Sequence, residues 1–126
     1  MLVSNYIYQK MTFSEINQTL QDCSICVLAL STNNEPYMLP MYFEYDTNHN
    51  EPLFVLESKN NGQKIHYLNS NNQVCIFVQY NEPESYKSIV ASGKAYTSSA
   101  DVNCSYQNII KIKVQVQEIT GRIYHK

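Results

Sequence analysis

The 126-residue sequence has no tryptophan, only three glycines and only 16% charged residues. No apolar run approaches the roughly 20 residues that a membrane-spanning helix needs, so we expect no membrane span. The N-terminal segment MLVSNYIYQK lacks a charged start followed by an apolar core, so we expect no secretory signal. The net charge of −2 argues against a generic nucleic-acid binder, which would present a basic face. With 44% apolar residues, the chain is predicted to form a single globular domain over residues 1–126.

The sequence also lacks the spacings of common metal, nucleotide and nucleophile sites. His49, His66 and His125 are scattered and suggest neither a zinc site nor a catalytic triad. The glycine spacing of a Walker loop or a dinucleotide fingerprint is absent. The sequence therefore offers no visible catalytic acid or base.

The cysteines include one Cys-x-x-Cys pair, Cys23 and Cys26, which could be a redox pair or half of a zinc site. The pair falls at a predicted helix-to-strand transition, and Cys75 and Cys104 stand alone, so no second pair completes a metal site. A structural role is therefore favoured over thiol redox chemistry, and a reducing, cytoplasmic location is expected.

The pattern of apolar residues predicts a mainly β chain with short helices. Thr12-x-x-Glu15 is a capping-box pattern that predicts a helix from Thr12 to Asp22, and a second helix is predicted from Lys64 to Leu68. Six strands are predicted: Ile25–Leu30, Pro36–Tyr45, Leu53–Leu56, Gln73–Tyr80, Tyr86–Thr97 and Ile110–Val116. A break in the alternation at Glu118 predicts a β-bulge. The short links favour an antiparallel sheet closing into a barrel, with two or three short helices.

The stretch from Leu53 to Leu68, LFVLESKNNGQKIHYL, predicts a strand, a polar loop and a helix start. Backbone N–H groups at a helix start are unpaired and carry partial positive charge. Ser58, Lys59 and Lys64 add a hydroxyl and two ammonium groups nearby, so this stretch can hold a phosphate. The alternative is an ordinary solvated loop that Gly62 closes.

The segment from Pro36 to Met41, PYMLPM, has two prolines within a strand-like run. Proline removes a donor from the ladder, so Pro40 predicts an edge strand or a bulge. Free backbone groups on such a strand can contact the polar edge of a flat heterocycle, while Met and Tyr side chains cover its face. The alternative is an edge strand that proline protects from aggregation.

Taken in order, these segments resemble the pyridoxamine 5′-phosphate oxidase-like split barrels that bind FMN, and most closely the nitroimidazole-resistance and small flavin-nucleotide-binding proteins. The matching segments are PYMLPMYFEYD, LFVLESKNNGQKIHYLNSNNQVCIFV, YKSIVASGKA and VQEITGR, after an N-terminal helix and an apolar strand. The resemblance runs from about Phe13 to Arg122.

The resemblance implies a homodimer with two FMN sites between protomers. Ser58, Gln63 and Lys64 would hold the FMN phosphate, and Ser88 would approach the phosphate or the ribityl chain. The segment Met38, Leu39, Pro40 and Met41 would lie along the isoalloxazine ring, near which a nicotinamide or small redox substrate would bind. The implied function is that of an FMN-dependent oxidoreductase, and the alternative is a non-catalytic dimer that binds a flavin or a haem.

The sequence departs from that family at three places. Glu57 stands where nitroimidazole-resistance proteins often carry histidine, and a carboxylate repels a phosphate unless it is paired or points away. Gln63 stands where the family usually has a cation. The region from Ser98 to Asn108 is shorter than the helical segment of many members, which puts enclosure of the substrate in question.

Overall fold

The computed structural model describes residues 7–48, 51–59, 62–99 and 109–126. These residues form two helices, α1 (Phe13–Gln21) and α2 (Gln63–Ser70). They also form eight strands: β1 (Tyr8–Lys10), β2 (Ile25–Thr32), β3 (Glu35–Tyr42), β4 (Glu44–Asp46), β5 (Leu53–Lys59), β6 (Gln73–Asn81), β7 (Ser85–Ser99) and β8 (Ile109–His125). His49, Cys104 and residues 100–108 of the predicted polar segment lie outside the described residues.

One antiparallel sheet contains all eight strands, in the order β3-β2-β6-β7-β8-β5-β4, with β1 added to β8. The sheet does not close, because β3 and β4 form its two ends. The predicted mainly β split barrel is confirmed. The sheet stays open at the split, instead of closing into a complete barrel as predicted. The predicted number of six strands is wrong. The predicted second strand is two strands, and β1 was not foreseen.

Phe43 divides the predicted second strand into β3 and β4. Its backbone N–H donates to the Ser24 carbonyl at 3.0 Å, and its ring is 6% exposed. The ring packs against Phe54 at a centroid distance of 5.4 Å. The chain therefore turns at Phe43 from one sheet edge to the other, and this turn borders the split.

β8 is longer than predicted and carries the predicted bulge. Gly93 pairs with Val116 and Ser92 pairs with Glu118, so Gln117 is the extra residue. A Cβ atom on Gly93 would collide with the Gln115 carbonyl. The glycine lets β7 approach β8 closely here, and the bulge lets β8 continue to His125 instead of ending at Val116.

The core lies on the inner face of the sheet, where alternate residues of neighbouring strands meet. Phe54 stands opposite Val114, and Leu56 stands opposite Ile112. Each of these four side chains is at most 1% exposed. This alternation is the period-2 pattern of a sheet with one buried face, and it fixes which β5 side chains point outward.

The two helices pack on different parts of this sheet. Thr12 and Glu15 form the predicted capping box at the start of α1, and the Tyr45 hydroxyl of β4 donates to Asn17 at 3.0 Å. α2 packs through Tyr67, whose ring lies 5.3 Å from that of Tyr37 on β3. Neither helix in the described part of the chain is long and apolar enough to cross a membrane.

Candidate functional site

A cavity of about 720 Å³ opens at the split, between edge strand β3 and the β5–α2 segment. Its volume is in the range of ligand pockets, roughly 300–1,000 Å³. It is lined by residues of both sheet edges, helix α2 and strand β8: Ser24, Leu39, Pro40, Met41, Tyr42, Phe43, Glu44, Val55, Glu57, Ser58, Lys59, Lys64 and Lys111. The two stretches singled out in the sequence therefore meet at one cavity.

β3 contributes one wall of the cavity as an edge strand. Among the described strands it pairs with β2 alone, so half of its backbone N–H and C=O groups point away from the sheet. Pro40 pairs with Val27 and has no N–H to offer, as the edge-strand prediction requires. Leu39 and Met41 pack toward the core on alternate positions, whereas Met38 points outward and is 70% exposed.

The β5–α2 segment contributes the opposite wall. α2 begins after Gly62, whose φ of 89° belongs to the left-handed region that favours glycine. Among the residues that the structure describes, no side chain caps this helix, in contrast to α1. The first backbone N–H groups of α2 are therefore free of a side-chain acceptor, and Lys64 in the first turn reaches the cavity.

Three lysines, Lys59, Lys64 and Lys111, line the cavity. None of them forms an ion pair with a carboxylate among the described residues. Unpaired ammonium groups that line one cavity with a helix start favour an anion, because their full charges add to the partial charge of the helix terminus.

Glu44 and Glu57 line the same cavity, so two carboxylates oppose the three ammonium groups. Glu57 is exposed and stands opposite Lys111 in the β5–β8 register. Glu57 forms no ion pair with any residue that the structure describes. The described residues of the cavity therefore keep a small positive excess, and Glu44 and Glu57 are the groups that limit it.

Ser58 is 9% exposed and borders the cavity, but its hydroxyl already has a partner. The hydroxyl donates to the Lys59 carbonyl at 2.9 Å. Ser58 can therefore accept a hydrogen bond as it stands, and it must rotate its hydroxyl before it can donate to an anion.

The structure brings five of the eight predicted site residues together: Leu39, Pro40, Met41, Ser58 and Lys64. Three others do not line the cavity. Met38 points outward on β3, and Gln63 is the exposed first residue of α2. Ser88 lies on β7 between Gln79 and Arg122, three strands from β3 in the sheet order.

Sequence reasoning missed Lys111. Lys111 lies on the outward face of β8, as the alternation of apolar and polar residues along this strand predicts. What the sequence did not reveal is that β8 pairs with β5, which brings Lys111 beside Glu57. Glu44 was missed for a related reason. The chain changes direction at Phe43, between β3 and β4, and this change places Glu44 at the split.

The cysteines do not form a redox site in the described residues. Cys23, Cys26 and Cys75 are free thiols. Burial raises the pKa of Cys26 to about 12, and burial also raises the pKa of Cys23. Both shifts oppose formation of a thiolate, so neither thiol is activated as a nucleophile. No group of three or more His, Cys, Asp or Glu side chains suited to a metal occurs in the described ranges.

The family described as pyridoxamine 5′-phosphate oxidase matches residues 13–103, more than half of the chain. No curated protein matches the sequence.

Three solved structures illustrate the shared fold. An FAD-binding protein from Mesorhizobium loti is 16% identical with a TM-score of 0.81, over 95% of this chain and 98% of that one. A candidate 5-nitroimidazole antibiotic resistance protein from Bacteroides thetaiotaomicron is 21% identical with a TM-score of 0.78, over 94% and 89%. An FAD-binding protein from Mycobacterium smegmatis is 17% identical with a TM-score of 0.72, over 93% and 98%.

Proposed function

Because the chain belongs to the pyridoxamine 5′-phosphate oxidase family, we propose that it binds a flavin, specifically FMN, in the cavity at the split and acts as an oxidoreductase. The observation that carries the proposal is the meeting of an uncapped helix start, three unpaired lysines and a free strand edge around one cavity of ligand size. Two of the solved structures with this fold are FAD-binding proteins, which supports a flavin as the ligand class.

The residues of the cavity fit a flavin phosphate at one end. Lys64 and the first N–H groups of α2 would bind the phosphate oxygens, and Lys59 and Lys111 would add positive charge. Ser58 would donate a hydrogen bond after its hydroxyl leaves the Lys59 carbonyl. Gln63, exposed at the start of α2, would contribute only a neutral contact.

The residues of β3 fit a flat ring at the other end. The free backbone edge from Met38 to Met41 would bind the polar rim of the ring, and the Leu39 and Met41 side chains would contact its face. The bound flavin would supply the redox chemistry, and this chain would supply binding, orientation and electrostatics. A nicotinamide or small redox substrate would approach the ring on the side that β3 leaves open.

We also propose that the protein acts as a homodimer through the outer face of the sheet. Pro40, Val27, Phe77 and Val90 form one continuous apolar row across β3, β2, β6 and β7. Val90 is 46% exposed and Phe77 is 36% exposed. An apolar row of this length on one sheet face is typical of an interface.

The row is flanked by further apolar side chains on the same face. Ile25 is 53% exposed and Tyr42 is 75% exposed, and the two are partners in the β2–β3 register. A second copy would cover this surface. Ser88 does not line the cavity within one chain, so a role for Ser88 in flavin binding requires that the second copy present it.

The visible spectrum of the purified protein tests the function. We expect flavin bands that survive dialysis and that bleach when NADH or NADPH is added without oxygen. Release by acid and chromatography of the supernatant then separates FMN from FAD. A colourless protein that takes up neither FMN nor FAD would contradict the flavin proposal, and bands that no nicotinamide bleaches would contradict only the catalytic part.

The second candidate function is a non-catalytic flavin-binding dimer. The described residues that line the cavity include no His, Cys or Asp, and Glu57 weakens the positive field at the phosphate end. This candidate predicts stable flavin bands that stay oxidised in the presence of either nicotinamide. A haem in place of the flavin would give a Soret band, which the same spectrum detects.

A further inference from the structure

A second cavity, of about 430 Å³, lies between β1, the start of α1 and the last part of β8. It shares no lining residue with the cavity at the split. It is lined by Tyr8, Lys10, Met11, Phe13, Ile16, Ile119, Thr120, Gly121 and Arg122. Its lining therefore combines two cations with aromatic and aliphatic walls, and the described residues that form it include no carboxylate.

The two cations are neighbours across the β1–β8 ladder. Lys10 stands opposite Arg122, and neither forms an ion pair with a described carboxylate. Glu15, in the first turn of α1, is held in the capping box, where its carboxylate accepts from the Thr12 N–H at 2.9 Å. Positive charge in this cavity is thus left without a counter-ion from the described part of the chain.

The Arg122 guanidinium is exposed and contacts two tyrosines. It lies 4.4 Å from the centroid of the Tyr8 ring, and it donates one hydrogen bond to the Tyr124 hydroxyl at 3.3 Å. Tyr124 is itself stacked on Tyr86 at a centroid distance of 4.7 Å. A guanidinium has five N–H donors, so most of them remain for a ligand, and the tyrosines reduce the entropy lost when a ligand is bound.

The floor of the cavity depends on Gly121. A Cβ atom there would lie 2.7 Å from Met11 Sδ and 2.9 Å from Ile16 Cγ1. The Met11 N–H also donates to the Gly121 carbonyl at 2.9 Å. The glycine therefore lets β8 contact the start of α1 closely and gives the cavity a rigid apolar floor.

We propose that this cavity binds a small aromatic carboxylate. The Arg122 fork and Lys10 would bind the carboxylate group, and the ring would lie against Tyr8 and Phe13 on the apolar floor. A guanidinium favours a planar carboxylate because two parallel N–H groups match its two oxygens. Within one chain, the described residues that line this cavity are separate from those at the split.

Calorimetric titration of the purified full-length protein with 2-naphthoate tests the proposal. We expect one-to-one binding in the wild type, and at least about a tenfold loss of affinity in Arg122→Gln, because a charged bidentate contact is removed. Lys10→Gln, which leaves the tyrosine contacts of Arg122 intact, should lose less. Lys113→Gln, a change at an exposed lysine of β8 outside the cavity, should bind like the wild type.

Two further ligands separate the contributions of charge and ring. The neutral isostere 2-naphthamide should bind much more weakly than 2-naphthoate. Cyclohexanecarboxylate should also bind more weakly, because it lacks the aromatic ring. Equal binding of 2-naphthoate and 2-naphthamide would overturn the proposal, as would the absence of binding by the wild type. If circular dichroism shows that Arg122→Gln does not fold, the affinity of Lys10→Gln for 2-naphthoate tests the proposal instead. Wild-type affinity in Lys10→Gln would then overturn the proposal.

One control distinguishes this cavity from the one at the split. Lys64→Ala should leave the affinity for 2-naphthoate unchanged, and saturating FMN should not displace it. Loss of 2-naphthoate binding in Lys64→Ala, or competition with FMN, would place the anion at the split and overturn the assignment.

Discussion

Glu57 on β5 stands directly opposite Lys111 on β8, and both residues line the cavity at the split. The two side chains form no ion pair with each other, so the carboxylate and the ammonium both remain in the field of the cavity. A ligand phosphate would be attracted by Lys111 and repelled by Glu57. The balance between these two charges therefore contributes to how strongly the cavity can hold an anion.

Replacing Glu57 with glutamine should increase the affinity for FMN. The change removes a negative charge without removing a hydrogen-bonding group, and an exposed charge of this kind is worth up to about fivefold in affinity at low salt. Titration followed by the quenching of flavin fluorescence measures the effect at low and high ionic strength. Glu118→Gln, an exposed change elsewhere on β8, is the control. Weaker binding by Glu57→Gln would mean that the carboxylate positions Lys111 instead of opposing the phosphate.

Replacing Lys64 with alanine should weaken FMN retention by about 10–100-fold, because it removes a charged hydrogen-bond donor at the helix start. Lys113→Ala should retain FMN like the wild type, since Lys113 is exposed on β8 and does not line the cavity. Riboflavin, which has no phosphate, should bind equally to Lys64→Ala and to the wild type. Equal FMN retention by the two lysine variants would contradict the placement of the phosphate.

Local features made much of this fold predictable from the sequence. The Thr12–Glu15 capping box fixed the start of α1, and Pro40 indicated the edge position of β3. These signals depend on neighbouring residues and on backbone chemistry. The polar turn before Lys64 was equally local, since a glycine, a lysine and a helix start follow one another in the chain.

Other features depend on which strands pair, and no local pattern reveals that. Lys111 joins the cavity only because β8 pairs with β5, although the two strands lie far apart in the chain. The break at Phe43 was hidden because Pro36–Tyr45 reads as one continuous strand. The hydrogen bond from the Phe43 N–H to the Ser24 carbonyl, a tertiary contact, marks the break. The exclusion of Ser88 from the cavity likewise follows from the sheet order.

Replacing Phe77 with lysine should dissociate the proposed homodimer. Phe77 lies in the middle of the exposed apolar row, so the variant would bury an unpaired charge and raise the dissociation constant by at least about 100-fold. Light scattering after size-exclusion chromatography measures the mass of the wild type, of Phe77→Lys and of the control Gln115→Lys. The control changes an exposed residue of β8 outside the row. A wild type with the mass of one chain would contradict the proposed dimer.

The Cys26 thiol should resist alkylation in the folded protein. It is 1% exposed, and burial raises its pKa from 9.0 to about 12. Because only the thiolate reacts, that difference lowers the reactive fraction at pH 8 roughly a thousandfold relative to an exposed cysteine. In the native protein the alkylation rate should continue to rise with pH beyond 9, where the rate of a cysteine with an ordinary pKa levels off.

Iodoacetamide labelling followed by peptide mass spectrometry measures the rate in native and in denatured protein, and the denatured sample is the control. Rapid labelling of native Cys26 at pH 8 would mean that its thiolate is stabilised, and would return the Cys23–Cys26 pair to consideration as a redox site.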